Sequence, residues 1–257
     1  RMDADDIALP HRLRVQREFL EASGVDLCGS WFVEFGQGIP RAVRWPHVET
    51  AVRAHLLFQN PICHPTVLAR RQVFDQCRYR EDYRFGEDYD LFSRAAEKFR
   101  LANVPQPLLR YRRHPGQSTQ ARRDVMEAFT RQIRLASLAR QGFVPDAEEQ
   151  RLHNLIRGPQ SIRRLDDLHG IEAWLGKLLA AHADAPARAV VASQWIRACI
   201  RAAPLGAAMW RAYRHSGLRA AAGAGARADF DLAVLAALRL DYEGPTFFRL
   251  RRLGLSA

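Results

Sequence analysis

Hydrophobic and polar residues alternate between two patterns in the first 120 positions of this 257-residue chain. After Pro10, helical spacing of apolar residues predicts a helix that Gly24 ends. From Val25 to Phe35 the chain is rich in apolar and aromatic residues, which predicts β-structure. The segment from Gly36 to Pro46 then interrupts the pattern between predicted elements. The apolar positions of the first helix are 13, 15, 19 and 20. Further helices are predicted over residues 48–57, 72–77 and 87–99, extended chain over 61–67, and two short strands over 101–104 and 108–111, around the Pro105–Pro107 turn. Alternating helices and strands predict an α/β fold.

The pattern changes after Ser118, where amphipathic helices follow one another with glycine and proline between them. These helices are predicted over residues 121–142, 147–157, 161–183, 186–202, 204–221 and 229–240. We therefore predict an α/β domain over residues 1–120 and an α-helical C-terminal extension over residues 121–257.

The composition, 47% hydrophobic and 26% charged, is typical of a globular protein. No run of about 18 or more apolar residues occurs, so no transmembrane helix is expected. Residues 1–120 contain 18 basic and 15 acidic residues, against 21 and 13 in residues 121–257, so most of the net charge of +11 lies in the second half. This excess is compatible with nucleic-acid, anionic-lipid or phosphorylated partners and does not choose among them.

The four cysteines show no Cys-x-x-Cys spacing, and we interpret them as small hydrophobic residues rather than as disulfides or a zinc site. They are Cys28, Cys63, Cys77 and Cys199.

Three acidic or histidine-bearing segments are candidates for chemistry. Asp3, Asp5 and Asp6 place three carboxylates in four residues, an arrangement that suits Mg²⁺ or Mn²⁺ held together with phosphate oxygens. The alternative is an exposed acidic turn before Pro10.

The second segment begins at Glu87 and Asp88, where a loop enters a predicted helix. A carboxylate there can act as a general base on a hydroxyl, and it can equally cap the helix. The third segment contains His114 beside basic residues. This histidine can be interpreted as a metal ligand, as a phosphate contact or as an ordinary surface histidine.

The order and spacing of these segments resemble the family-2 glycosyltransferases of the GT-A fold, specifically the bacterial type that builds surface polysaccharides. The match covers roughly residues 1–119. The residues that carry it are Met2-Asp3-Ala4-Asp5-Asp6, Pro10-His11-Arg12-Leu13, Gln16, Asn60-Pro61-Ile62-Cys63-His64-Pro65-Thr66-Val67, Glu87-Asp88-Tyr89-Asp90-Leu91 and Tyr111-Arg112-Arg113-His114-Pro115-Gly116-Gln117-Ser118. The resemblance implies the C-terminal part of a GT-A domain, with a Rossmann-like mixed sheet, followed by the helical extension.

The resemblance also implies roles for individual residues. Asp5 would bind a divalent cation, Mn²⁺ or Mg²⁺, and Asp3 would help to hold the nucleotide or the metal. Asp88, within the Glu87-Asp88 motif, would be the catalytic base, and His114 would complete the metal site. Asp6 and the His64-Pro65 pair receive no defined role.

The implied enzyme is a metal-dependent, hexosyltransferase-like glycosyltransferase that inverts the anomeric carbon. It would transfer sugar from a nucleoside-diphosphate sugar to the hydroxyl of a saccharide or lipid-linked acceptor. We expect a cytoplasmic location, with peripheral contact to the inner face of the cytoplasmic membrane left open, and no nucleic-acid partner.

The sequence departs from the family at its start. In the family a nucleotide-binding half precedes the acidic motif, whereas in this chain Asp3 is the third residue. We therefore expect a sheet that lacks its central strand and weak binding of UDP- or GDP-sugars with Mn²⁺ in calorimetry. Two alternatives remain open: a non-catalytic basic helical module that docks on anionic membrane or another protein, and a metal-dependent phosphoesterase.

Overall fold

A computed structural model describes residues 1–114 and 123–252. The chain divides into two compact units, Arg1–Val144 and Pro145–Ala257. Residues 115–122, which include the boundary predicted near residue 120, lie outside the described residues. The predicted division into residues 1–120 and 121–257 therefore stays a prediction.

The first unit is built on one mixed five-stranded sheet. Its strands are β1 (Ile7–Ala8), β2 (Leu27–Phe35), β3 (Arg41–Val43), β4 (Leu68–Ala69) and β5 (Leu101–Arg112). The order is β1-β5-β2-β3, and β4 also pairs with β2. The long strands β2 and β5 are parallel, whereas the other pairs are antiparallel. The predicted α/β class is confirmed.

Within residues 1–114 and 123–144 of this unit, the helices are α1 (Arg12–Ser23), α2 (Glu49–His55), α3 (Arg71–Gln76), α4 (Glu87–Ala95) and α5 (Arg123–Arg140). The predicted end of α1 is confirmed, because Gly24 adopts a left-handed φ of 65° that favours glycine. Helix α5 packs within this unit, because Ile133 joins the core around α2 and α4, and Arg140 Nε lies 2.8 Å from Glu97 Oε1.

Both faces of the β2–β5 pair are covered by apolar side chains. Leu27 and Leu101 pack into one cluster with residues of α2 and α4, including Val52 and Leu91. Their neighbours Cys28 and Ala102 point the other way and pack with Leu20 of α1. Because strand side chains alternate between faces, the apolar residues on both faces of β2 and β5 favour the observed register of this buried parallel pair.

The sequence misplaced several extended segments. The two strands predicted over 101–104 and 108–111 are one strand, β5, because a register shift between Ser30 and Phe32 of β2 accommodates Pro105 and Pro107. Strand β3 lies within residues 36–46, for which the sequence pattern predicts an interruption between elements. The segment predicted as extended over 61–67 contains a 3₁₀ turn at His64–Thr66, with Pro65 inside it.

The described part of the second unit is helical. Its helices are α6 (Ala147–Arg157), α7 (Leu165–Ala180), α8 (Ala185–Arg201), a 3₁₀ turn (Ala203–Leu205), α9 (Ala207–His215), α10 (Gly217–Ala221), α11 (Ala226–Leu238) and α12 (Pro245–Arg252). Asp146 forms a capping box with Glu149 at the start of α6. The helix predicted over 204–221 is broken at Ser216, whose hydroxyl accepts from Leu218 N and begins α10.

Trp195, Tyr213 and Phe247 are among the largest fully buried side chains of this second unit. Helix α12 was not predicted. Nowhere in the described ranges does a helix combine the length and the apolar character that a bilayer span requires.

Candidate active site

The acidic segment Asp3–Asp6 is fastened to the end of β5. The backbone N–H of Arg112 donates to Asp6 Oδ1 at 2.8 Å, and Arg112 Nε donates to the carbonyl oxygen of Asp5 at 2.8 Å. Asp6 is buried, whereas Asp3 is half-buried and Asp5 is exposed. The three carboxylates therefore differ: Asp6 anchors the segment, and Asp3 and Asp5 remain accessible.

His114 lies directly beside Asp5. Its Nε2 is 3.3 Å from Asp5 Oδ2, and both side chains are nearly half exposed. Within residues 1–114 and 123–252, no group of three or more His, Cys, Asp or Glu side chains is placed to hold a metal ion. A carboxylate and an imidazole are ligand types used by divalent cations that take few protein ligands and complete their shell with phosphate oxygens and water.

Asp88 is the second residue of α4, which begins after Gly86, a residue with a left-handed φ of 75°. Its two oxygens accept separate hydrogen bonds, one from Tyr89 N at 2.8 Å and one from Asn60 Nδ2 at 2.9 Å. The amide of Asn60 is itself fixed, because its Oδ1 accepts from Ile62 N at 2.9 Å. The carboxylate is thus held in one orientation by a loop 28 residues away in sequence.

Electrostatics connect the acidic segment with Asp88. Burial raises the pKa of Asp88, the hydrogen bonds from Tyr89 and Asn60 oppose that rise, and the negative charge of Asp3 adds to it. Burial also raises the pKa of the Cys63 thiol, and the charges of Asp6, Asp88 and Asp3 raise it further. The charge of Asp3 thus acts on Asp88, and the charges of both act on Cys63 between the first two segments in sequence. His114 and Asp5 lie at the end of β5.

Glu87 adjoins this group without a defined contact of its own. Its charge acts on His64 and on Tyr79, whose pKa values are shifted mainly by burial, downward for His64 and upward for Tyr79. The remaining residues of the third segment, Pro115-Gly116-Gln117-Ser118, lie outside the described residues.

A buried polar pair on α1 lies beneath the acidic segment, and sequence reasoning gave it no role. Arg12 Nε donates to Gln16 Oε1 at 2.9 Å, and Gln16 Nε2 donates to the carbonyl oxygen of Thr66 at 2.7 Å. The positive charge of Arg12 acts on Asp6 and Cys63. The spacing of Arg12, Gln16 and Leu20, every four residues, could have indicated that they share one helix face. In the structure these three residues form the buried stripe of α1.

The helix face predicted from the apolar positions was therefore partly wrong. Leu13 is 65% exposed, whereas Arg12 and Gln16 are buried. Burial of these polar side chains is offset by hydrogen bonds from Arg12 to the carbonyl oxygen of Arg1 and from Gln16 to that of Thr66.

We predict that Asp6→Asn raises thermal stability at neutral pH. Burial is the main cause of the raised pKa of Asp6, and the charges of Asp5 and Asp3 raise it further, against the hydrogen bond from Arg112 N. A carboxyl whose pKa is higher in the folded state loses stability as pH rises through that interval. The asparagine keeps an acceptor for Arg112 and removes the buried charge, so scanning calorimetry should show a higher Tm at pH 7. The difference should vanish below about pH 4, where the aspartate of the unfolded chain is also protonated. A lower Tm of the variant at pH 7 would contradict this account.

Comparison with known proteins gives a consistent set of relatives. No protein-family model matches the chain. It is 31% identical over 132 residues to an uncharacterised glycosyltransferase of Haemophilus influenzae, covering 46% of this chain and 41% of that protein. It is 31% identical over 126 residues to the O-antigen biosynthesis glycosyltransferase WbnJ of Escherichia coli, covering 47% and 48%. It is 30% identical over 115 residues to the amylovoran biosynthesis glycosyltransferase AmsE of Erwinia amylovora, covering 44% and 43%.

The chain spans less than half the length of these curated relatives. What it shares with them is therefore a region of similarity to glycosyltransferases, two of which are named for bacterial polysaccharide synthesis. This agrees with the resemblance of the three sequence segments, and it leaves mechanism, donor and acceptor to be argued from the site.

Proposed function

We propose that this chain carries the base-bearing and cation-holding part of an inverting glycosyltransferase of the GT-A fold. The enzyme would transfer a sugar from a nucleoside diphosphate to an acceptor hydroxyl in bacterial polysaccharide or glycolipid synthesis. The observation that carries the proposal is the geometry of the three segments: Asp5 lies beside His114, and Asp88 is held by Asn60 and Tyr89 where the charge of Asp3 acts on it. The names of the relatives support the reaction class.

Asp88 has the features of a general base. Both of its oxygens are oriented by hydrogen bonds, and burial raises its pKa, so it is a stronger proton acceptor than an exposed aspartate. In the proposed step Asp88 takes the proton of the acceptor hydroxyl as the oxygen attacks the anomeric carbon. The bond from that carbon to the phosphate oxygen breaks, and the nucleoside diphosphate leaves with the electron pair. One displacement inverts the anomeric carbon.

Asp5 and His114 would hold the divalent cation, with Asp3 nearby. When bound, the cation supplies a positive charge that stabilises the leaving diphosphate. Arg112 fixes the backbone of Asp5 and thereby orients the carboxylate toward His114. Two protein ligands suit a cation that binds chiefly together with the donor phosphates.

We predict that Asp5→Asn and His114→Ala each weaken Mn²⁺ binding about tenfold or more, because each removes one of two protein ligands. Loss of the free-ion electron paramagnetic resonance signal would measure binding, with and without added UDP or GDP. Asp75→Asn, on the exposed surface of α3, is the matched control and should bind Mn²⁺ like the original chain. Equal Mn²⁺ affinity in all four proteins would rule out this cation site.

The proposed function is tested by sugar transfer from a panel of UDP-, GDP- and dTDP-sugars by the intact protein, with Mn²⁺ or Mg²⁺ and saccharide or lipid-linked acceptors. Mass spectrometry of the product and the configuration of the new linkage give the readout. We expect a glycoside with inverted configuration at the anomeric carbon. Phosphate release from simple esters without a glycoside product would instead favour the phosphoesterase, and binding to anionic vesicles without either reaction would favour the docking module.

The proposal includes a location. A nucleoside-diphosphate sugar donor and an acceptor linked to a lipid place the enzyme in the cytoplasm, in peripheral contact with the inner face of the cytoplasmic membrane. Fractionation of cells that produce the intact protein would test this, since salt-extractable protein in the membrane fraction is the expected result. No nucleic-acid partner is proposed.

A further inference from the structure

Tyr79 is an exposed aromatic ring that is nevertheless held in place. Its side chain is 43% exposed, and it is the aromatic member of the exposed large hydrophobic residues in the described part of the first unit. Its ring stacks on Phe74, with centroids 6.3 Å apart and an interplanar angle of 26°. Its hydroxyl lies 2.7 Å from His64 Nε2. An exposed ring with both a stacking partner and a hydrogen bond has lost most of its freedom to move.

His64 connects this ring to the helix that bears the candidate base. The imidazole packs edge-on against Phe92, with centroids 6.1 Å apart. Phe92 lies four residues after Asp88 on α4, so both side chains lie on the same face of that helix. His64 also follows Cys63, the residue on which the charges of Asp3, Asp6 and Asp88 act together. Tyr79 therefore stands at the edge of the carboxylate group.

The surroundings of the ring combine one apolar surface with several acceptors. The charges of Asp88 and Glu87 both act on Tyr79. A pyranose has the matching surface, because one face presents C–H groups and the rim presents hydroxyls that donate to carboxylates. Aromatic rings bury such apolar faces at small entropic cost, since the ring has few rotamers to lose.

We propose that Tyr79, oriented by His64, forms an acceptor subsite in which the ring stacks on a pyranose of the acceptor. This inference rests on the proposed function and assigns an acceptor-binding residue to the same site. It also gives a purpose to the His64-Pro65 motif, for which the sequence offered none. The 3₁₀ turn that contains Pro65 holds His64 against Phe92.

Saturation-transfer difference NMR with methyl glucopyranosides and methyl galactopyranosides tests the subsite without requiring transfer. We expect binding by the original chain, with the signal concentrated on the C–H groups of one sugar face. Tyr79→Ala should weaken binding about tenfold, equivalent to about 1.4 kcal/mol, and Tyr79→Phe should retain most of it. His64→Ala should give an intermediate loss because the ring loses its hydrogen-bond partner.

Two further variants control the experiment. Phe230→Ala removes an aromatic ring that is 61% exposed on the second unit and should leave sugar binding unchanged. Asp166→Asn neutralises an exposed carboxylate of the second unit and should bind the glycosides like the original chain. Failure of the original chain to bind any of the methyl glycosides, or equal binding by Tyr79→Ala, would overturn the subsite.

The inference and the proposed function can fail separately. Sugar binding that depends on Tyr79, combined with no transfer from any donor, would leave the subsite standing and reject the transferase. Transfer with an unchanged acceptor KM in Tyr79→Ala would support the transferase and reject the subsite. An increase of acceptor KM with little change in donor KM is the result that supports both.

Discussion

Asp88→Asn should lower kcat for sugar transfer by about 10²–10⁴-fold, the usual contribution of a positioned general base. Asparagine has nearly the same shape and can still accept one of the two hydrogen bonds from Tyr89 and Asn60. It cannot take the proton of the acceptor hydroxyl. Initial rates at saturating donor and acceptor would measure the loss, and Mn²⁺ binding should be retained because Asp88 is not one of the proposed cation ligands, Asp5 and His114.

The matched control is again Asp75→Asn, which neutralises an exposed carboxylate in the same unit and should transfer sugar at the original rate. Transfer by Asp88→Asn at an unaltered rate would show that another group takes the proton. Asn60→Asp offers a complementary check, because a second carboxylate 2.9 Å from Asp88 would disturb the base without removing it. Its pH–rate profile should move to higher pH, since a neighbouring negative charge raises the pKa of a carboxyl.

Gly29→Ala should destabilise the first unit by about 3 kcal/mol, from overpacking and from weakened hydrogen bonds. A methyl group at Gly29 would overlap Asn103 Oδ1 and approach Ile62 Cγ2 to 2.9 Å. Asn103 Nδ2 donates to the carbonyl oxygens of Pro46 at 2.7 Å and Pro61 at 3.0 Å. Because Pro61 directly follows Asn60, displacement of Asn103 should also loosen the residue that orients Asp88.

Thermal unfolding followed by circular dichroism would measure this effect, with an expected decrease in Tm of ~8 °C. The matched control is Gly176→Ala in α7, where the added methyl group meets no atom within 4 Å. That substitution should leave Tm unchanged or raise it slightly, because alanine favours helix. Equal Tm values for Gly29→Ala and Gly176→Ala would show that contacts of a methyl group at residue 29 with Asn103 and Ile62 do not lower the free energy of unfolding.

The sequence predicted what depends on local pattern. Helix α1 and its glycine end, strand β2 and the acidic start of α4 follow from spacing and composition, and all three are confirmed. Strand β5 was divided wrongly, because prolines normally end strands and only a register shift in the partner strand accommodates them here.

The site was predictable only as far as its residues form segments of unusual composition. Dense carboxylates drew attention to Asp3, Asp5 and Asp88. Asn60 was noted only as part of a motif without a role and Tyr79 was not noted, because their positions beside Asp88 and His64 arise from tertiary contacts. The burial of Arg12 and Gln16 was not predicted, because the buried helix face was assigned from apolar positions alone.

The hydrogen bond from Arg112 N to Asp6 joins residues that are 106 positions apart. Closing so long a loop is entropically costly, so this contact forms only when most of the first unit has folded. The side of the site formed by Asp5 and His114 is then absent from partly folded chains, and a cation that binds there distinguishes the native state from all others. Its binding would add to the free energy of unfolding in proportion to the logarithm of its concentration. The supply of Mn²⁺ or Mg²⁺ in a cell would then influence how long the folded protein survives, independently of how fast it transfers sugar.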